Sequence, residues 1–96
     1  MANKDFKQLL GTDLPIIQAP MAGVQGSALA IAVSEAGGLG SLPCAMLSPE
    51  QLIAEINRIK AATAKPVNFN FFCHEMPAFD EKKQAAWQVR LKPYFD

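Results

Sequence analysis

Short apolar runs alternate along the chain with stretches of 3.6-residue periodicity, the pattern of strands that each feed a helix. LPIIQA, from Leu14, is a compact apolar run entered at a proline and predicts a buried parallel strand, preceded by a short amphipathic turn, DFKQLLG, from Asp5. Ala28 to Ala36 reads as a helix capped by Ser27, with Leu29, Ala32, Val33 and Ala36 as its apolar face and Gly37 as a left-handed C-terminal cap. LGSLPCAM, from Leu39, predicts a second strand weakened at its end by Pro43. Ser48, Pro49 and Gln51 then open a helix with a capping box and a proline at its first position. Leu52, Ile53, Ile56 and Ile59 form its core face, while Gln51, Glu55, Asn57, Arg58 and Lys60 face water. PVNFNFF, from Pro66, is the third strand, and a third helix runs near Asp80 to Lys92, packing Trp87 and Leu91 onto the sheet and ending at Pro93.

Three consecutive β/α units require parallel strands joined by right-handed crossovers. Both a doubly wound open sheet and an eight-stranded β/α barrel begin this way, and in both the ligands gather at the C-terminal ends of the strands. That rule sorts the glycines. Gly37, Gly38 and Gly40 follow a helix and precede a strand, so GGLGS is a tight turn at the end opposite to a phosphate cradle, which needs backbone N–H groups opening a helix after a strand. Gly23 and Gly26 follow the first strand and stand at the ligand end.

Alternation along the third strand puts Asn68, Asn70 and Phe72 on one face and Val67, Phe69 and Phe71 on the other. The all-apolar face packs on helices. On the mixed face, Asn68 lies deeper and reads as a member of a core hydrogen-bond network, whereas Asn70, nearer the C-terminal mouth, is the better ligand candidate. His74 follows the same mouth as a candidate substrate-lining residue; Cys73 beside it forms no dyad by adjacency. Met21 and Met46, near the strand ends, are candidates for lining an apolar pocket.

Composition narrows the classes further. Ninety-six residues, half of them apolar, suit one domain or part of one, here taken as residues 1–96. Nine basic residues balance nine acidic ones, which gives no electrostatic grip on nucleic acid or on an anionic membrane. No apolar run approaches the roughly 20 residues of a membrane span, and Met1 to Lys7 lacks the apolar core of a signal peptide, so a cytoplasmic protein is expected. Cys44 and Cys73 show no metal-ligand spacing and read as reduced thiols. No metal site is expected, and the carboxylates offer no paired acid–base arrangement.

PIIQAPMAGV, AVSEAGGLGS and KPVNFNFFCH, in that order, resemble the N-terminal portion of the nitronate monooxygenases, formerly called 2-nitropropane dioxygenases, over essentially the whole chain. The resemblance implies an α/β fold, the first three β/α units of a TIM (β/α)8 barrel, truncated, in an oxidoreductase that binds FMN without covalent attachment. It implies that Ala19, Pro20 and Met21 shape the flat isoalloxazine site, that Gly23 lets backbone approach the ring, and that Asn70 contacts FMN. The family's reaction is oxidation of alkyl nitronates with O2 to a carbonyl product and nitrite. The flavin-dependent enoyl-acyl-carrier-protein reductases are similar and give the rival chemistry; a non-catalytic α/β assembly module is the alternative outside enzymes. A complete barrel needs about 250 residues. The family's catalytic histidine and phosphate loops are therefore expected beyond these residues. No catalytic residue is assigned here, His74 does not match that histidine's motif, and the 96 residues alone are expected to self-associate, to lose FMN and to be inactive.

Overall fold

The computed structural model of the protein describes residues 5–95; residues 1–4 and 96, which the single-domain reading includes, lie outside the described residues. Four helices, α1 (Phe6–Leu10), α2 (Ser27–Glu35), α3 (Pro49–Ala62) and α4 (Glu81–Leu91), accompany two strands, β1 (Gly40–Pro43) and β2 (Val67–Asn70). The strands pair in parallel, Gly40 opposite Val67 and Pro43 opposite Asn70.

The predicted first strand survives only as one parallel bridge, Ile17 to Leu39. Leu39 N–H donates to the Ile16 carbonyl (2.8 Å) and Gln18 N–H to the Leu39 carbonyl (2.9 Å). The next rung is lost because the Ser41 N–H donates to the side-chain Oε1 of Gln18 (2.9 Å). Pro15 and Pro20, which have no N–H, bound the segment on both sides. The other two strands are shorter than the sequence predicts for a related reason. Cys44 to Leu47 closes a turn by Leu47 N–H to the Cys44 carbonyl, which takes Ala45 and Met46 out of β1. Phe71 and Phe72 continue past the end of their partner strand, so nothing on that side pairs with them.

The segment read as an amphipathic turn from Asp5 is the short helix α1, and the Ser48 start of α3 stands as the sequence predicts. Asp5 caps α1 and Ser48 caps α3, each in a capping box with a glutamine three residues on. Gly37 sits at φ +107° directly after α2; its N–H donates to the Ser34 carbonyl and the Gly38 N–H to the Val33 carbonyl, the pair of bonds that defines a Schellman ending. At the other end of α2 the cap is Gly26, and Ser27 is the first helical residue, making no capping bond of the predicted kind. The Ser27 N–H is instead met by the Glu55 carboxylate of α3 (3.0 Å), so Glu55, expected to face water, closes the α2 N-terminus.

The buried face of α2 also departs from expectation. Ser27, Ala30 and Ser34 are buried, while Leu29, Ala32 and Ala36 are exposed and Val33 is half-buried. The cause is close approach: an added Cβ on Gly40 would lie 2.0 Å from the Ala30 carbonyl oxygen. Only small side chains fit between a helix and a strand that near. Ser34 uses the proximity, accepting from the Gly40 N–H (2.9 Å) and donating to the Pro66 carbonyl (2.8 Å), which ties α2 to the start of both strands. Beyond this contact, Leu42, Cys44 and Ile59 form the apolar core, flanked by Ile31, Leu47, Leu52 and Val67. Ile53, expected in the core face of α3, is exposed.

The third unit does not close on the sheet. Helix α4 packs only on its own C-terminal 3-10 turn among the described elements, and Trp87, expected at the helix–sheet interface, is 58% exposed. Phe69 and Phe71, on the face that a third helix would cover, are exposed as well. The radius of gyration, 19.0 Å, exceeds the roughly 13 Å of a compact domain of this size.

Candidate functional site

On the side of the sheet away from α2 and α3, the inward residues of β1 and β2 alternate as Ser41 and Pro43, Asn68 and Asn70. Ser41 is completely buried although its neighbours are polar, because each of its hydrogen-bonding groups is engaged. Its N–H donates to Gln18 Oε1, its carbonyl accepts from Gln25 Nε2 (2.9 Å), and its hydroxyl accepts from Asn68 Nδ2 (3.1 Å). The deeper asparagine of the third strand is thus spent on the core network, as its position predicts.

Asn70 differs. It stands one inward step nearer the C-terminal mouth, half-buried, and its side-chain amide bonds to no other described residue, while its backbone carbonyl accepts the Cys44 N–H (2.8 Å). That leaves the amide's donors and acceptor available to a ligand.

The loop from Ala19 to Gly26 meets the same network. Gln18 Nε2 donates to the Ala19 carbonyl and to Gln25 Oε1, both at 2.6 Å, and the same Gln25 oxygen accepts the Met21 N–H (2.9 Å). Val24 N–H donates back to the Met21 carbonyl, with Gly23 at φ +82° in the third position of the turn, where only glycine is unstrained. No atom lies within 4 Å of the Cβ that Gly23 lacks, so the turn faces open space. Met21 is 41% exposed on it. Gln18, Gln25 and Ser41 were not singled out by the sequence; their signal was two glutamines seven residues apart flanking the glycine turn, which periodicity does not register.

His74 lies in the coil after β2, exposed, its ring 5.4 Å from that of Phe72, and does not join the Ser41 network. Met46 is exposed in the turn after β1. Cys44 belongs to the core, where burial pushes its thiol up, and Cys73 is exposed.

The helix starts bear on anion binding. At the N-terminus of α2 the Glu55 carboxylate already occupies the positive end; hydrogen bonds from Ser27, with a smaller pull from Arg58 at 2.8 Å, hold it below its ordinary range against the opposing effect of burial. The α3 start is closed by Ser48 with Gln51 and the α4 start by Asp80. A phosphate therefore finds no open helix terminus at α2, α3 or α4.

Residues 3–93 match the family model described as nitronate monooxygenase. A nitronate monooxygenase of Pseudomonas aeruginosa is 48% identical over 90 residues, 94% of this chain and 26% of that protein. Another, from Paraburkholderia phytofirmans, is 47% identical over 92% of this chain and 24% of its own length. The chain therefore spans about a quarter of the length of the curated relatives it matches. Among solved structures, nitroalkane oxidase from Streptomyces ansochromogenes is similar with a TM-score of 0.62 and 37% identity, over 85% of this chain and 23% of that one. FabK from Thermotoga maritima is similar with a TM-score of 0.65 and 26% identity, over 98% of this chain and 29% of that one.

Proposed function

Because this chain belongs to the nitronate monooxygenase family, we propose that it forms the first three β/α units of a (β/α)8 barrel that oxidises alkyl nitronates with O2 to a carbonyl product and nitrite. FMN, when bound, supplies the electron acceptor for the anionic substrate. The residues of this chain build the floor on which the ring lies: Ala19, Pro20 and Met21 offer a flat backbone and apolar surface, Gly23 keeps the turn beside it free of a side chain, and Asn70 hydrogen-bonds the cofactor. His74 lines the substrate side of the mouth and takes no proton. The nitronate reading is preferred to enoyl-acyl-carrier-protein reduction because the named nitronate monooxygenases reach 48% identity over nearly the whole chain.

One observation carries the site assignment. Of two asparagines on the same strand face, Asn68 is consumed by Ser41 and Asn70 is not. In protein of the family's full length, Asn70→Ala should weaken FMN binding by about tenfold, the worth of one hydrogen bond, with little change in stability. Asn68→Ala should lower the unfolding midpoint and leave FMN affinity nearly unchanged. Fluorescence titration of FMN and urea unfolding read the two effects; an unaltered FMN affinity in Asn70→Ala refutes the assignment. The 96 residues alone, whose α2, α3 and α4 starts are already closed to a phosphate, are expected to be colourless and inactive.

A further inference from the structure

The loop proposed as the flavin floor is not shaped by its own sequence alone. Between Ala19 and Gly26 the only main-chain bond within the described turn is Val24 N–H to the Met21 carbonyl, a long one at 3.3 Å. The remaining anchorage comes from two carboxamides. Gln18 Oε1 holds the Ser41 N–H, and its two N–H groups reach the Ala19 carbonyl and Gln25 Oε1. Gln25 turns the other way, taking the Met21 N–H on the oxygen that also receives Gln18, and giving its own N–H to the Ser41 carbonyl. The pair replaces the strand rung lost after Leu39: Ser41 pairs with side chains where a neighbouring backbone would stand. It also claims the Met21 N–H.

We propose that Gln18 and Gln25 are positioning residues of the flavin site, a carboxamide pair that sets the height and tilt of the Ala19–Gly23 surface above Ser41 and keeps the Met21 N–H turned away from the ring. This rests on the reading of that surface as the flavin floor. The two side chains touch no reacting atom; they act through the Met21 backbone. Of the two bonds Gln25 makes, the one it accepts from the Met21 N–H positions the loop, and a carboxylate preserves it; the one it donates to the Ser41 carbonyl needs the amide, and an apolar side chain makes neither.

The test uses protein of the family's full length carrying Gln25→Ala, Gln25→Glu or Asn70→Ala. Hydrogen exchange of the Met21 amide is measured in the FMN-free form, and FMN affinity and the visible spectrum are measured in the loaded form. Gln25→Ala should speed Met21 exchange by about tenfold, raise the FMN Kd by about tenfold and shift the bound flavin's absorption. Gln25→Glu keeps an oxygen for the Met21 N–H, so it should hold Met21 exchange and the flavin spectrum close to those of the parent while losing the bond to Ser41. If Gln25→Ala speeds Met21 exchange but leaves affinity and spectrum untouched, while Asn70→Ala still loosens FMN, the positioning role is overturned and the flavin floor stands. If Asn70→Ala also leaves FMN unaffected, the site reading falls and the proposal with it. Should Gln25→Ala fail to fold, Gln25→Glu decides on the same readouts: protected Met21 with a parental spectrum supports the proposal, and loss of either overturns it.

Discussion

Gly40→Ala should be the most damaging glycine-to-alanine change in this chain. The new Cβ would stand 2.0 Å from the Ala30 oxygen and under 3.0 Å from the Ala30 carbonyl carbon and Cα, all of them backbone, whereas ordinary contact begins near 3.4 Å. No rotamer relieves a clash with main chain, so α2 and β1 must separate by about 1.4 Å at this point. The separation stretches the Gly40 N–H bond to Ser34 Oγ and, through the same side chain, the bond to Pro66. Overpacking of this kind costs about 1–3 kcal/mol, a lost hydrogen bond adds about 1 kcal/mol, and reduced freedom of the unfolded chain returns less than about 1 kcal/mol, for a net loss of about 1–4 kcal/mol. Gly23→Ala is the matched control. There the new methyl meets nothing within 4 Å, and the only cost is a side chain at φ +82°, about 1 kcal/mol after the same entropic return. Urea unfolding of the parent and both variants measures the difference. A Gly40→Ala midpoint at or above that of Gly23→Ala would refute the close-approach argument.

Three further outcomes are expected. Glu55 has its carboxyl held below the ordinary range in the folded state, so its contribution is fully present above the unfolded pKa near 4.3 and is lost as pH falls through the lower folded value; the stability gap between parent and Glu55→Gln should be open at pH ~7 and narrow progressively as pH falls below about 4.3, and a gap independent of pH would contradict the Ser27 link. Maleimide should label Cys73 in the native protein and reach Cys44 only on unfolding, with native labelling of both thiols arguing against the core at Leu42, Cys44 and Ile59. The 96 residues expressed alone leave Ile16, Ile17, Phe71, Phe72 and Trp87 exposed, and should sediment as species larger than the 10.4 kDa monomer; a stable, well-folded monomer would count against the barrel-fragment reading.

What the sequence determined by itself is chiefly local. Helix starts at Asp5, Ser48 and Asp80 and the Gly37 ending of α2 are written in side chains a few residues apart, because a cap is satisfied within one turn and needs no tertiary partner. The strand-face alternation that put Asn68 and Asn70 together, on the face opposite Val67 and Phe69, is equally local, a consequence of the two-residue period of extended backbone. Tertiary structure decided whatever depends on how near two elements come. The small-residue face of α2 was hidden because hydrophobic periodicity ranks Leu29 above Ser34, whereas the separation at Gly40 admits only the smaller side chains. The first strand shrank to a bridge because a glutamine side chain, indistinguishable in sequence from a solvated one, took the Ser41 N–H. Glu55 was read as wet for the same reason: its partner, the Ser27 N–H, lies 28 residues away and is brought within 3.0 Å only when α3 docks on α2.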